Sequence, residues 1–115
     1  MCYAIRLVVC APTHERRLQL RRAAASVEWE VVAAVGTIDE ALARVASLRA
    51  QVLLVDAGVG PSADLTDRLH QARPAVALVG VGAVPGAAAT IAPDDLSALR
   101  PTLAAAVHTS GDHGH

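Results

Sequence analysis

The sequence contains no lysine and no phenylalanine, and its only aromatic residues are Tyr3 and Trp29. All ten basic residues are arginines, which excludes Schiff-base chemistry and lysine contacts to phosphate. With 53% hydrophobic residues and almost no rings, the core must be assembled from alanine, valine and leucine. Neither sign of charge is in excess, the formal net charge being −1, and the arginines are scattered along the chain. Such a pattern carries no footprint for a phosphate backbone, so nucleic acid is not an expected partner.

Cysteine is equally sparse. If residues 4–11 form one strand, Cys2 and Cys10 stand roughly 25 Å apart, beyond disulfide reach. They read as reduced thiols of a cytoplasmic protein. The opening MCYAIRLVVCA has no basic segment before its apolar stretch, and Arg6 interrupts it, so no signal peptide is expected. One stretch, PAVALVGVGAVPGAAATIAP (74–93), is uncharged over about the length needed to cross a bilayer. Pro85-Gly86 breaks it into two runs of strand length, so a membrane span is not expected either.

What is present is a regular alternation of two patterns. IRLVVCA (5–11), WEVVAAVG (29–36), QVLLVDA (51–57), AVALVGVGA (75–83) and AATIA (88–92) are apolar runs of strand length. Between them lie helical patterns. THERRLQLRRAAAS (13–26) has Thr13 as its cap and Leu18, Leu20 and Ala24 as its apolar positions. In TIDEALARVASLRA (37–50), Thr37 and Glu40 form a capping box, and Leu42, Val45 and Leu48 share a face. SADLTDRLHQAR (62–73) follows the loop GVGPS (58–62), sets Leu65 and Leu69 four apart, and is stopped by Pro74. A last helix is expected through DLSALRPTLAAAVH, opened by Asp94 or Asp95.

Strands that are continuously apolar, alternating with helices, define a parallel sheet covered on both faces. The length of 115 residues fits one domain, and no internal repeat occurs. In such sheets the site lies at the carboxyl ends of the strands, and Asp56 closes the third strand.

With Asp56 in that position, the chain resembles the receiver domain of bacterial response regulators over residues 5–107. The resemblance is carried by IRLVVCAPTHERRLQLRRAAAS, by EVVAAVGTIDEALARVASLRAQVLLVDAG, and by AP followed by DDLSALRPTLAAAV. It implies an α/β fold: a three-layer, doubly wound, five-stranded parallel sheet of order 2-1-3-4-5. It also implies a receiver-like domain over residues 1–108, and the polar, glycine-bearing tail at 109–115 is expected to be disordered. Only eight residues, Val84 to Ile91, lie between the fourth-strand end and Ala92, so the fourth helix is expected to be shortened or missing.

The family phosphorylates the aspartate that falls here on Asp56. An acidic pair after the first strand holds Mg²⁺ in the family; Ala11 and Pro12 stand there in this chain. The switch hydroxyl after the fourth strand corresponds to Gly82, and the lysine after the fifth to Ala92. Phosphoryl transfer is almost entirely positioning and electrostatic stabilisation, so an isolated carboxylate should transfer poorly. Asp56 is therefore expected to be a vestigial acceptor, hydrogen-bonded by the N–H groups of the loop after it.

Other candidate chemistry is weaker. His14 and Glu15 could join Asp56 in a metal site, but they read first as exposed residues of a helical first turn. His108, Asp112, His113 and His115 could hold a divalent metal only without fixed geometry. Gly80 and Gly82 permit close backbone approach to a ligand, yet no phosphate-binding glycine motif occurs. His70 is expected in solvent, and Cys10 is expected to be an inert buried thiol. No Ser–His–Asp or Cys–His set has a defined spacing, so neither enzymatic activity nor a cofactor is expected.

The expectation is a stand-alone, degenerate receiver-like domain in bacterial signal transduction. It would bind a protein partner, or a second copy, through the face made by the fourth strand, fifth strand and last helix, without phosphoryl control. Two alternatives remain open. One is a small-molecule sensor with a pocket lined by Ala11, Pro12, Gly82 and Ala92 around Asp56; the other is a phosphoreceiver using Asp56.

Overall fold

Five apolar runs become strands: β1 (Ile5–Cys10), β2 (Trp29–Val35), β3 (Val52–Asp56), β4 (Ala77–Val81) and β5 (Ala89–Ile91). They form one sheet of order β2-β1-β3-β4-β5, and every pairing is parallel. The structure is a computed structural model describing residues 5–24, 29–60, 64–72, 76–92, 94–99, 101–103 and 105. The expected tail at 109–115, Cys2 and the C-terminal histidines lie outside the described residues.

Alternate side chains of the sheet enter two cores. Leu7, Val9, Val52, Leu54, Val79 and Val81 meet Leu20 and Ala24 of α1 (His14–Ala24) together with Leu99 and Leu103. On the other face Val8, Cys10, Leu53, Val55 and Leu78 meet Ala41 and Val45 of α2 (Ile38–Leu48) and Leu65 and Leu69 of α3 (Leu65–Ala72). Every residue of β3 and β4 is buried, which is why β4, and β3 up to its closing Asp56, read as unbroken apolar runs. The arrangement is the doubly wound, flavodoxin-like α/β fold.

Local signals account for the helix starts. Thr13 Oγ1 accepts from the Arg16 N–H at 3.1 Å, and Thr37 Oγ1 accepts from the Glu40 N–H at 3.2 Å. The Thr37 hydroxyl in turn donates to the Glu40 carboxylate at 3.3 Å, a variant of the capping box. At the other end of α2 the chain turns through Arg49 at φ 55°, a left-handed conformation that glycine adopts far more readily.

Residues 76–92 supply β4, a turn and β5, and no helix among the described residues is long and apolar enough to cross a membrane. No helix separates β4 from β5. Val84 instead packs against Gly80, where a Cβ would stand 2.7 Å from the Val84 Cβ. Beyond it Gly86, at φ 76°, lies over α3, where an added Cβ would meet Thr66 Oγ1 at 2.0 Å. β5 is consequently short and pairs only with Val79, Gly80 and Val81.

Two expectations need correction. Ala57, expected to end the third strand, and Gly58 and Val59, expected in the loop, form a 3₁₀ turn, because the Asp56 carboxylate caps it through the Gly58 N–H. The last helix does not begin at Asp94 or Asp95. Asp95 caps a 3₁₀ turn at Leu96–Ala98, and the α-helical residues follow at Leu99, Pro101, Thr102, Leu103 and Ala105. Pro101 has no N–H to donate to Ser97, so it fits the first α-turn but not a helix interior.

Candidate functional site

The parallel register brings the strand ends to one edge. Val55 lies opposite Cys10, Asp56 opposite Val81, and Val81 opposite Ile91. Ala11, Gly82 and Ala92 each follow one of these ends, so the edge gathers them along the line of Asp56. Ala11 is buried, Gly82 half-buried, and Pro12 and Ala92 exposed.

Asp56 itself is 8% exposed, the one buried polar or charged residue among the described residues. Both carboxylate oxygens are bonded. Arg16 Nε donates to Oδ2 at 2.7 Å, and the Gly58 N–H donates to Oδ1 at 2.9 Å, as expected for a loop-capped carboxylate. The Arg16 guanidinium is held in turn, its Nη1 donating to Gln19 Oε1 at 3.0 Å. Pro12 closes over the same turn, 3.0 Å from where a Gly58 Cβ would stand. A cation from the first turn of α1 therefore meets the carboxylate.

The neighbouring positions are closely packed as well. Gly82 has φ 89° and lies beside β3, its missing Cβ 3.1 Å from the Ala57 Cβ, while its N–H donates to Ile91 O at 2.9 Å. A serine or threonine there would need a backbone conformation that side chains rarely adopt. Arg17 Nη1 donates to Ala11 O at 2.9 Å, and its guanidinium fills the space over Gly36. This second arginine ties the turn after β1 to the turn after β2.

Cys10 ends the strand beside β3. Burial above all, then Glu40 and, more weakly, Asp56, push its thiol up to about 11 against the opposing pull of Arg17. It is a protonated core residue at neutral pH.

His14 and Glu15 are exposed, and no group of three or more histidine, cysteine or acidic side chains is gathered for a metal among the described residues. His70 is exposed. A cleft of about 270 Å³ opens at the carboxyl ends of β2 and β3, between Gly36, Thr37, Ile38 and Asp39 and the facing Val59, Gly60 and Arg68. Arg68 and Asp39 are joined by an ion pair at its rim.

Charge is sorted by the fold. Glu15, Asp39, Glu40, Asp56, Asp64, Asp67, Asp94 and Asp95 all lie at the carboxyl edge, in helical first turns, at the end of β3, or in the turns that lead from the strands into the helices. Arg6, Arg21, Arg22 and Arg49 lie at the opposite edge, where β1 begins and where α1 and α2 end.

Sequence reasoning found Asp56 and its loop but missed Arg16. The residue belongs to a helical first turn 40 positions away, where an arginine reads as solvated. The one available hint was the placement of Arg16 and Arg17 just after the strand that neighbours β3.

No family model matches the chain, and no curated protein matches it significantly. The fold class is thus set by the sheet order alone, as a flavodoxin-like α/β domain.

Proposed function

We propose that the chain is an atypical receiver-like domain that works in bacterial signal transduction as a phosphorylation-independent protein-interaction module. The observation that supports this reading is the Arg16–Asp56 pair. A phosphoacceptor needs a free carboxylate oxygen and groups that neutralise the incoming phosphoryl charge. Here both oxygens are engaged, one of them by the chain's own guanidinium, while alanine, proline and glycine stand where metal ligands and a hydroxyl would be needed.

β4 itself is buried, so the interaction face of the proposal lies on the connection after it, on β5 and on the C-terminal helical segment. Residues 76–92 carry no charge, and Ala83, Pro85, Ala88 and Ala92 are exposed along them, with Pro101 exposed nearby in sequence. A neutral small-residue surface favours close packing with a protein partner or a second copy. Asp56→Ala should leave such binding intact.

The test is an amide NMR titration with beryllofluoride and Mg²⁺, using Asp56→Ala as control. The expected result is no shift at Asp56 or β5. Wild-type-specific shifts running from Asp56 to Ile91 would restore the phosphoreceiver reading. A second reading, small-molecule sensing, draws support from the 270 Å³ cleft beside β2 and β3. Its ligand would sit against Thr37 and Arg68 rather than Asp56.

A further inference from the structure

The sorting of charge gives the domain two unlike ends. At the carboxyl edge the described arginines are engaged: Arg16 on Asp56, Arg17 on the Ala11 carbonyl and Arg68 on Asp39. At the amino edge Arg6 donates to Leu48 O at 2.9 Å. Arg21, Arg22 and Arg49 there are exposed and form no ion pair among the described residues. Glu30 is the one described carboxylate at that edge.

Helix dipoles favour part of this arrangement, with Glu15, Asp39, Glu40 and Asp67 in first turns and Arg21 and Arg22 in the last turn of α1. The three long helices all run antiparallel to the strands, so their preferences add into one molecular axis of charge. A near-neutral body with opposite ends has little long-range attraction for a polyanion, whose charge would also meet the acidic edge. Its best electrostatic complement is its own other end.

We propose that the arginine edge is a docking surface for the carboxylate edge of a second copy, giving a salt-sensitive head-to-tail association. Guanidinium groups suit it because their planar forks take carboxylates two bonds at a time. The contact is heterologous, so each copy keeps one free end of each sign. This surface is separate from the neutral β4–β5 face, whose association should not depend on salt.

Sedimentation velocity tests it on the full chain. At about 20 mM salt, where screening extends roughly 20 Å, the weight-average mass should rise with protein concentration; at about 0.5 M salt it should return to the monomer. Arg21→Glu/Arg22→Glu and Asp67→Arg/Asp94→Arg should each stay monomeric alone. Mixed one to one, they have two reversed edges that complement each other and two intact ones that do too, so mixed complexes should reappear. A wild type that stays monomeric at low salt overturns the proposal, as does association that persists at 0.5 M salt. Retarded migration of a duplex DNA by the monomer at the same low salt would reassign the arginine edge to nucleic acid.

Discussion

Arg16 and Asp56 join the first turn of α1 to the end of β3 through a single 2.7 Å contact, and the side chains are only 20% and 12% exposed. Removing one partner leaves a nearly buried charge without its counter-ion. Arg16→Ala should therefore destabilise the fold by about 1–3 kcal/mol in urea denaturation. The double variant Arg16→Ala/Asp56→Ala should cost less than the sum of the singles, with a coupling of about 1 kcal/mol or more. Strict additivity would mean that the contact contributes nothing.

Cys10 makes stability depend on alkaline pH. Its folded-state value, about 11, stands above the ordinary 9.0. The folded protein therefore holds the thiol proton where the unfolded chain releases it. That contribution is complete below about pH 9 and is lost as pH rises toward about 11, to a limit of about 2–3 kcal/mol. Urea midpoints from pH 7 to 10.5 should fall more steeply for the wild type than for Cys10→Ala.

Gly86 and Thr66 form a matched pair. Gly86→Ala should cost about 2–4 kcal/mol, since it places a Cβ on the Thr66 hydroxyl and strains a φ of 76°. The Thr66 hydroxyl is buried without a hydrogen-bond partner among the described residues. Thr66→Val should thus stabilise the domain by about 1 kcal/mol in thermal unfolding. A loss of stability there would point to a water bonded to that hydroxyl.

Arg49 turns the chain out of α2 with φ 55°. Arg49→Gly should raise stability by about 1 kcal/mol, read as a higher urea midpoint at unchanged slope.

Much of this architecture was legible because each signal was local. Thr13, Thr37 and the Leu65–Leu69 pair act within one helical turn, and the apolar runs of β3 and β4 are buried on both faces. The failures came where partners are distant. Asp56 could be placed at its strand end, but Arg16 pairs with it across 40 residues without any periodic trace. Arg49 lacks the glycine that normally announces a left-handed cap, and Pro101 redirected a helix whose apolar pattern continued past it. The Thr66–Gly86 contact depends on how a connection folds back, which composition does not encode.

The missing fourth helix has a geometric consequence for β5. Parallel neighbours usually need a connection of a dozen or more residues to carry the chain back to the start of the next strand. Residues 82–88 must do so here, and β5 accordingly joins the sheet opposite Val79, two rungs above Ala77, where β4 begins. The connector acts as a tether that sets the length of the strand after it. Each residue removed would shorten a three-rung strand further, while added residues would let it grow downward, so this stretch is open to insertion and closed to deletion.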